Sequence, residues 1–147
     1  MFEEGNLLYF DPFLFKNGAT PKPKFFIVLK NDINDEVILA TLPTSKDHIP
    51  SDVAITSGCT ELPDRAVNVY AFLADTPVTT NGYCFKVNTF IYGADIDTYP
   101  SKIFKEQMSN NQIKVSAQGK LKQEIFYDLL DCLRNSKMVK RKFKKIL

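Results

Sequence analysis

The residues best suited to chemistry lie at the two outer ends of one predicted hairpin. Apolar runs at residues 25–29 and 37–42 flank a polar turn that contains Asn and Asp, which is the pattern of two paired, buried strands. Lys24 precedes the first run, and Thr44, Ser45 and Lys46 follow the second. Because the outer ends of an antiparallel pair lie side by side, we expect the ammonium group and the hydroxyls to lie close together.

Such a cluster is suited to phosphate chemistry. Lys24 and Lys46 would supply positive charge, and the Thr44 and Ser45 hydroxyls could donate hydrogen bonds to a phosphate oxygen. His48, the only histidine, has an unperturbed pKa of about 6.5 and so suits proton transfer near neutral pH. The adjacent Asp47 could orient His48 or compete with it, and these two residues would also fit an acid-base enzyme with a small substrate.

Each of these residues also has a purely structural interpretation. A single histidine in a polar loop is usually exposed, a Thr-Ser pair after a strand is often a turn, and Lys24 could simply make a strand end soluble. Arg65, the only arginine before residue 134, could contact a phosphate or lie on the surface of a turn. The functional interpretation depends on the convergence of these side chains.

The element pattern predicts one mainly β domain of 147 residues with helices added late in the chain. A first strand at residues 7–10 is expected to end at Asp11-Pro12, and a long loop leads to Lys24. Short strands follow between residues 59 and 93, one of them at 83–87 after the Asn81-Gly82 turn. Helices are predicted at 100–109 and 122–135, with a last strand at 112–117. Many short strands favour a small barrel or sandwich.

Composition places further limits on the protein. The chain is 44% apolar and 24% charged and contains no apolar run of about 18 residues, so no membrane span is expected. An acidic start, MFEEGNLLYF, is unlike a signal peptide and predicts a cytoplasmic protein. Cys59, Cys84 and Cys132 show no CxxC spacing, so we expect buried thiols, with no disulfide, metal or cofactor.

Charge is distributed unevenly along the chain. Seven of the 19 Lys and Arg residues and no acid lie in residues 134–147, which leaves 12 bases against 17 acids, a formal charge of −5, in residues 1–133. This basic extension could attract RNA or dock on the acidic body. Docking is favoured because Phe143, Ile146 and Leu147 would otherwise be exposed.

The order of these features resembles the MazF/PemK-like toxin family. GNLLYFDP, a long loop, KFFIVLKN, ILATLPTSK and a closing QGKLKQEIFYDLLDCLRNS are similar to the family's approximate order of GDI-hydrophobic-DP, loop, RP-x-hydrophobic-VL, hydrophobic-P-hydrophobic-TS and GxL-helix. The resemblance covers about half of the chain, at both ends. Residues 47–111 are similar only in being β-rich.

The resemblance implies a small SH3-like antiparallel barrel with a C-terminal helix, usually dimeric. It also implies metal-independent cleavage of single-stranded RNA and an antitoxin that blocks the cleft. The family's reactive arginine and threonine fall on Lys24 and Thr44, and lysine lacks the planar fork with which arginine grips two phosphate oxygens. We therefore predict Lys24, Thr44 and His48 as catalytic residues. Substrate binding is assigned to Ser45, Lys46, Arg65 and Lys22. The alternative is an inactive barrel of this fold that binds protein or nucleic acid.

Overall fold

A computed structural model describes residues 1–31 and 34–147 of the chain. Two sheets and a set of helices make up this part of the protein. The strands are β1 (Asn6–Phe13), β2 (Lys22–Asn31), β3 (Glu36–Thr41), β4 (Gly58–Leu62), β5 (Val67–Phe72), β6 (Thr89–Tyr92), β7 (Asp97–Pro100) and β8 (Lys114–Lys120), and the α-helices are α1 (Ser101–Ser109), α2 (Gln123–Arg134) and α3 (Arg141–Lys144).

The strands form a five-stranded sheet in the order β7-β3-β2-β1-β8 and a three-stranded sheet in the order β4-β5-β6. All of the strand pairs in both sheets are antiparallel. The sheets meet where the Phe90 amide of β6 donates to the Pro43 carbonyl just after β3, at 2.9 Å. The loop between β5 and β6 also contacts the chain just after β8, where Thr79 makes an isolated bridge to Leu121. The β-rich class with added helices is confirmed as a mixed α/β fold, whereas the two sheets do not close into one barrel.

The predicted hairpin is present as β2 and β3. Ile27 pairs with Ala40, and the pairing continues to the outer end, where the Leu42 amide donates to the Phe25 carbonyl at 3.2 Å. The central residues of the predicted turn, Asp32 and Ile33, lie outside the described residues. The hairpin supplies two of the three inner strands of the larger sheet, with β1 beside β2 and β7 beside β3.

Side chains on the two faces of the larger sheet enter different cores, because alternate residues of a strand point to opposite faces. Ile27 belongs to the main core, which also contains Ile91 of the smaller sheet and Leu129 of α2. Phe26 belongs to the second core, which is closed by Phe104 of α1. This alternation decides which side chains at the outer end of the hairpin can face the same site.

The predicted helices are confirmed at α1 and α2. Leu129 and Leu133 of α2 are fully buried, as their four-residue spacing requires. The basic extension docks on the body, because Val139 and Phe143 are buried in the main core. Ile146 stays 42% exposed.

Three of the predicted strands differ from the structure. The last one runs from Lys114 to Lys120 instead of over residues 112–117. β1 continues past Asp11-Pro12 to Phe13, and the register shifts between Phe10 and Phe13, so the proline falls in an irregular stretch that needs no regular ladder donor. Residues 83–87 form no strand, although Pro77 and Cys84 make an isolated bridge. The chain there is held by single backbone bonds such as Val78 N–H to the Tyr83 carbonyl at 2.9 Å.

The prediction of three buried thiols is wrong, because two of the cysteines are joined in a disulfide and Cys84 is a thiol that is only partly buried. A disulfide joins Cys59 of β4 to Cys132 of α2 across 73 residues of sequence, with Cα atoms 5.7 Å apart, and Cys84 remains a thiol. The distant pairing follows from the packing of α2 on the smaller sheet, which spacing alone does not reveal. Because cytosolic proteins seldom keep disulfides, the cysteines no longer support a cytoplasmic location. No helix in the described ranges is long and apolar enough to cross a membrane.

Candidate functional site

An aromatic pocket opens beside the outer end of the hairpin. It has a volume of about 400 Å³, within the range typical of ligand sites. β1, β2, the chain just after β3, the loop before β6 and β6 itself all contribute to its wall. The lining residues are Tyr9, Phe25, Leu42, Thr44, Tyr83, Cys84, Phe85, Lys86, Val87 and Thr89.

Four aromatic rings form one side of this pocket. Phe25 lies at the centre of the group, with ring centroids 4.8 Å from Tyr9, 6.1 Å from Tyr83 and 5.8 Å from Phe85. Burial raises the pKa of the Tyr83 phenol, and the neighbouring Tyr9 raises it further. The Tyr83 hydroxyl therefore remains a hydrogen-bond donor at neutral pH, next to planar apolar surface.

Thr44 and Lys86 add polar chemistry to the same pocket. The position of Thr44 is fixed from behind, because the carbonyl of the preceding Pro43 accepts the Phe90 amide of β6. Lys86 lies in the loop that carries the aromatic residues. The pocket thus combines stacking surface with several hydroxyls and one cation, Lys86, which matches a nucleotide better than a purely apolar ligand.

Lys24 is placed on the other face of the sheet. Its backbone pairs with Phe10, a residue of the second core, and the next residue, Phe25, faces the pocket. Partial burial lowers the pKa of Lys24, and Lys22 lowers it further. The strand ends do lie side by side, as expected, but the alternation of side chains separates Lys24 from Thr44. Local sequence alone does not reveal which face of the sheet each side chain takes.

His48 belongs to a separate cluster on the smaller sheet. Its ring packs edge-on against Tyr92, with centroids 4.8 Å apart, and its Nε2 lies 3.6 Å from Oδ2 of Asp95. The Tyr92 hydroxyl donates to the Ser45 carbonyl. Burial is the main cause that raises the Tyr92 pKa. Tyr92 packs with Phe90 in a third core, away from the face of the aromatic pocket that Thr89 lines.

The predicted substrate-binding residues are dispersed. The Ser45 hydroxyl accepts the Asp47 amide at 3.4 Å, as in a simple turn. Arg65 donates two hydrogen bonds to Asp52, at 2.9 and 2.7 Å, and this pairing lowers the Asp52 pKa. A guanidinium held in this way offers less to a phosphate.

The two remaining lysines of that set also lie apart from the pocket. Lys22 stands 6.0 Å from the Phe15 ring centroid. Lys46 is exposed, its carbonyl accepts the Ile49 amide at 3.0 Å, and its ammonium group makes no ion pair within residues 1–31 and 34–147. Of the seven predicted site residues, Thr44 alone lines the aromatic pocket.

Sequence reasoning missed the pocket's main components. The sequence pattern predicts a strand for Tyr83, Phe85 and Lys86 and another for Tyr9, and it indicates no shared site for these residues. The available signal was the alternation of Tyr83 and Phe85 just after the Asn81-Gly82 turn, followed by a lysine. Asp95 lies 47 residues after His48 in the sequence, so local spacing does not reveal their contact.

The described residues contain no group of three or more His, Cys, Asp or Glu side chains able to hold a metal ion. Comparisons of the chain with protein-family models, curated proteins and solved structures find no match. The MazF/PemK-like relationship therefore remains a prediction from the order of sequence features.

Proposed function

We propose that this protein binds single-stranded RNA at the aromatic pocket and cleaves it as a toxin-like, metal-independent endoribonuclease. The observation that carries the proposal is the arrangement of Tyr9, Phe25, Tyr83 and Phe85 around one cavity that also receives Thr44 and Lys86. Unstacked bases of single strands are commonly held against aromatic rings, while nearby cations bind the backbone. A base in the pocket would bring its phosphate towards Thr44 and Lys86.

Cleavage without a metal uses the RNA's own 2′-hydroxyl as the nucleophile. It requires donors around the phosphate, a base for the 2′-hydroxyl proton and an acid for the departing 5′-oxygen. In this proposal Thr44 donates to a phosphate oxygen, and Lys86 supplies the charge expected earlier from Lys24. The attacking 2′-hydroxyl loses its proton to solvent water, which reaches the pocket at the exposed Thr44 and Lys86. The Tyr83 phenol, protonated at neutral pH because its pKa is raised, gives its proton to the departing 5′-oxygen and regains one from solvent. His48, predicted from the sequence as catalytic, acts in this proposal as a positioning residue, because it packs on Tyr92, whose hydroxyl holds the chain just after Thr44.

The finer expectations of the resemblance belong to the same proposal. In this proposal the two sheets, which meet at the hydrogen bond from Phe90 to Pro43, are a divergent form of the SH3-like barrel in which the sheets stay separate. A homodimer and an antitoxin that covers the pocket are the expected partners, in the cytoplasm where RNA is abundant. No membrane, metal or cofactor takes part.

A second candidate is an RNA-binding domain of the same fold that does not cleave. The observation that favours it is the separation of Lys24, Thr44 and His48 into three environments. Because Lys24 and His48 do not reach the pocket that Thr44 lines, its lining residues offer hydroxyls, a cation and phenols. They include no histidine or carboxylate that could take the 2′-hydroxyl proton. Stacking and charge would still support binding.

Incubation of the purified protein with end-labelled single-stranded RNA in EDTA tests both candidates. The proposal predicts fragments that end in a 2′,3′-cyclic phosphate. Thr44→Val, which keeps the side-chain shape, should lower the rate about 100-fold, and Lys24→Gln should leave it unchanged. RNA that is bound but intact would favour the binding domain. RNA that is neither bound nor cleaved would overturn both candidates.

A further inference from the structure

The basic extension, residues 134–147, is fixed to the protein by its apolar side chains. Val139 and Phe143 are buried in the main core. Val139 approaches so closely that a Cβ atom at Gly93 would lie 2.9 Å from its Cγ2. The Arg134 guanidinium also donates to the Leu147 carbonyl at 2.7 Å, and the Lys144 ammonium donates to the Ser136 carbonyl at 2.8 Å.

This docking leaves a set of cations on one short, ordered stretch of surface. Lys137, Lys140, Arg141, Lys142 and Lys145 are exposed. None of their side chains makes an ion pair within the described residues. We call these five residues the basic surface. In contrast, Arg134 pairs with Asp131 at 3.4 Å, so only part of the extension's charge is neutralised within the chain.

We propose that the basic surface binds the phosphate backbone of single-stranded RNA beyond the nucleotide held in the aromatic pocket. This inference rests on the proposed function for the identity of the polyanion. The formal charge of −5 on residues 1–133 repels RNA, so a strand that reaches the pocket needs positive charge elsewhere on the protein. Fixed cations provide it without the entropy cost of ordering a disordered tail.

The surface fits a nucleic-acid backbone better than a lipid bilayer. A helix that inserts into a membrane interface exposes a broad apolar face, whereas Val139 and Phe143 are already buried in the protein. Ile146 is the remaining large exposed apolar residue of the extension. Backbone contacts carry no sequence preference, so the basic surface adds affinity and salt dependence, and the aromatic pocket supplies the choice of base.

The salt dependence of RNA affinity tests this role. Binding of a labelled oligouridylate by the full chain is measured over a range of NaCl concentrations in EDTA. The variant Lys137→Gln/Lys140→Gln/Arg141→Gln should reduce the steepness of log K against log [salt] by about 2, since each single-strand phosphate contact contributes roughly 0.7. The matched control Lys102→Gln/Lys105→Gln/Lys114→Gln removes the same charge from α1 and β8 and should leave the slope near that of wild type.

Each remaining outcome decides against the inference in a distinct way. Equal slopes for the two triple variants, with RNA still bound, would overturn the basic surface and leave the aromatic pocket standing. Loss of binding to phosphatidylserine vesicles in the first variant alone, with an unchanged RNA slope, would assign the surface to membranes instead. A wild-type chain that binds no RNA would overturn this inference together with the proposed function. Thermal unfolding of both variants at the temperature of the wild-type protein confirms that folding is intact.

Discussion

Among single residues, the ring of Tyr83 should contribute most to the proposed binding of RNA in the aromatic pocket. Tyr83→Ala should weaken binding of single-stranded RNA about 5- to 150-fold, because stacking of a base on an aromatic ring contributes about 1–3 kcal/mol. Tyr83→Phe keeps the ring and should bind nearly as wild type. Fluorescence anisotropy of a labelled oligonucleotide measures both affinities.

A matched control is Tyr127→Ala, since Tyr127 is 55% exposed on α2 and lies outside the aromatic pocket. It should leave the affinity unchanged. If Tyr127→Ala weakened binding as much as Tyr83→Ala did, the base would not be held in the aromatic pocket.

A second residue-scale prediction concerns Tyr99 on β7. Burial, aided by the charge of Asp97, raises the pKa of Tyr99 to about 12. The unfolded chain loses this proton near pH 10 while the folded chain retains it, so the contribution of Tyr99 to stability is present below pH 10 and is lost between pH 10 and 12. The free energy of unfolding in urea should therefore fall from pH 9 to pH 11, and the fall should be smaller in Tyr99→Phe.

Tyr70 has a raised pKa for the same main reason, with a further contribution from its hydrogen bond to Asp128. Part of the alkaline loss of stability should therefore remain in Tyr99→Phe. An identical pH dependence in wild type and Tyr99→Phe would show that Tyr99 ionises as freely in the folded protein as in the unfolded chain.

Residue types could be judged from the sequence, but their directions could not. Lys24 and Thr44 were correctly assigned to neighbouring strand ends. A shift of one residue along a strand reverses the face that a side chain takes, and nothing in the local sequence fixed the pairing of Lys24 with Phe10. The contact of His48 with Asp95 likewise could not be read from the sequence, because the two residues are 47 positions apart and meet only in the folded chain.

At the scale of elements, the disulfide between β4 and α2 is the clearest point to test. Cys59→Ser should lower the free energy of unfolding by about 2–5 kcal/mol, because the unfolded chain gains freedom when a long loop is opened. Cys59 is exposed and Cys132 is buried, so the change at position 59 removes the bond with little loss of packing. Thermal and urea unfolding of the oxidised protein measure the difference.

Cys84→Ser serves as the control, because Cys84 is the free thiol. It should leave stability close to that of wild type. Two observations together would contradict the disulfide. Dithiothreitol would leave the unfolding curve of the wild-type protein unchanged, and all three cysteines would be alkylated in the unreduced protein. The account would then need α2 to hold β4 by packing alone.

Periodic elements were the most predictable part of the fold. The α2 stripe and the β2–β3 hairpin each carry a strong apolar repeat, and both are present nearly as predicted. The loop before β6 was mistaken for a strand because Tyr83 and Phe85 alternate with smaller residues. Their rings instead pack on Phe25, and this tertiary contact overrides the local β preference.

In the whole molecule, the two sheets form and support the aromatic pocket, and the basic extension carries the proposed contacts to the RNA backbone. The larger sheet and the loop before β6 form the aromatic pocket. The smaller sheet holds the chain on both sides of Thr44, through the bonds of Phe90 to Pro43 and of Tyr92 to Ser45. The extension packs on the same main core through Phe143. Charge imbalance along the chain was visible in the sequence, but its attachment to the body required the three-dimensional contacts.

The most direct measurement of the central claim is photo-crosslinking of a single strand that contains 4-thiouridine, followed by mass spectrometry of the linked peptides. The account predicts crosslinks in residues 83–87 and at Phe25 or Tyr9, all of which line the aromatic pocket or its loop, and their loss in Tyr83→Ala. Crosslinks confined to Phe126 and Tyr127 in the groove between α2 and β8, or none in residues 83–87, would contradict it.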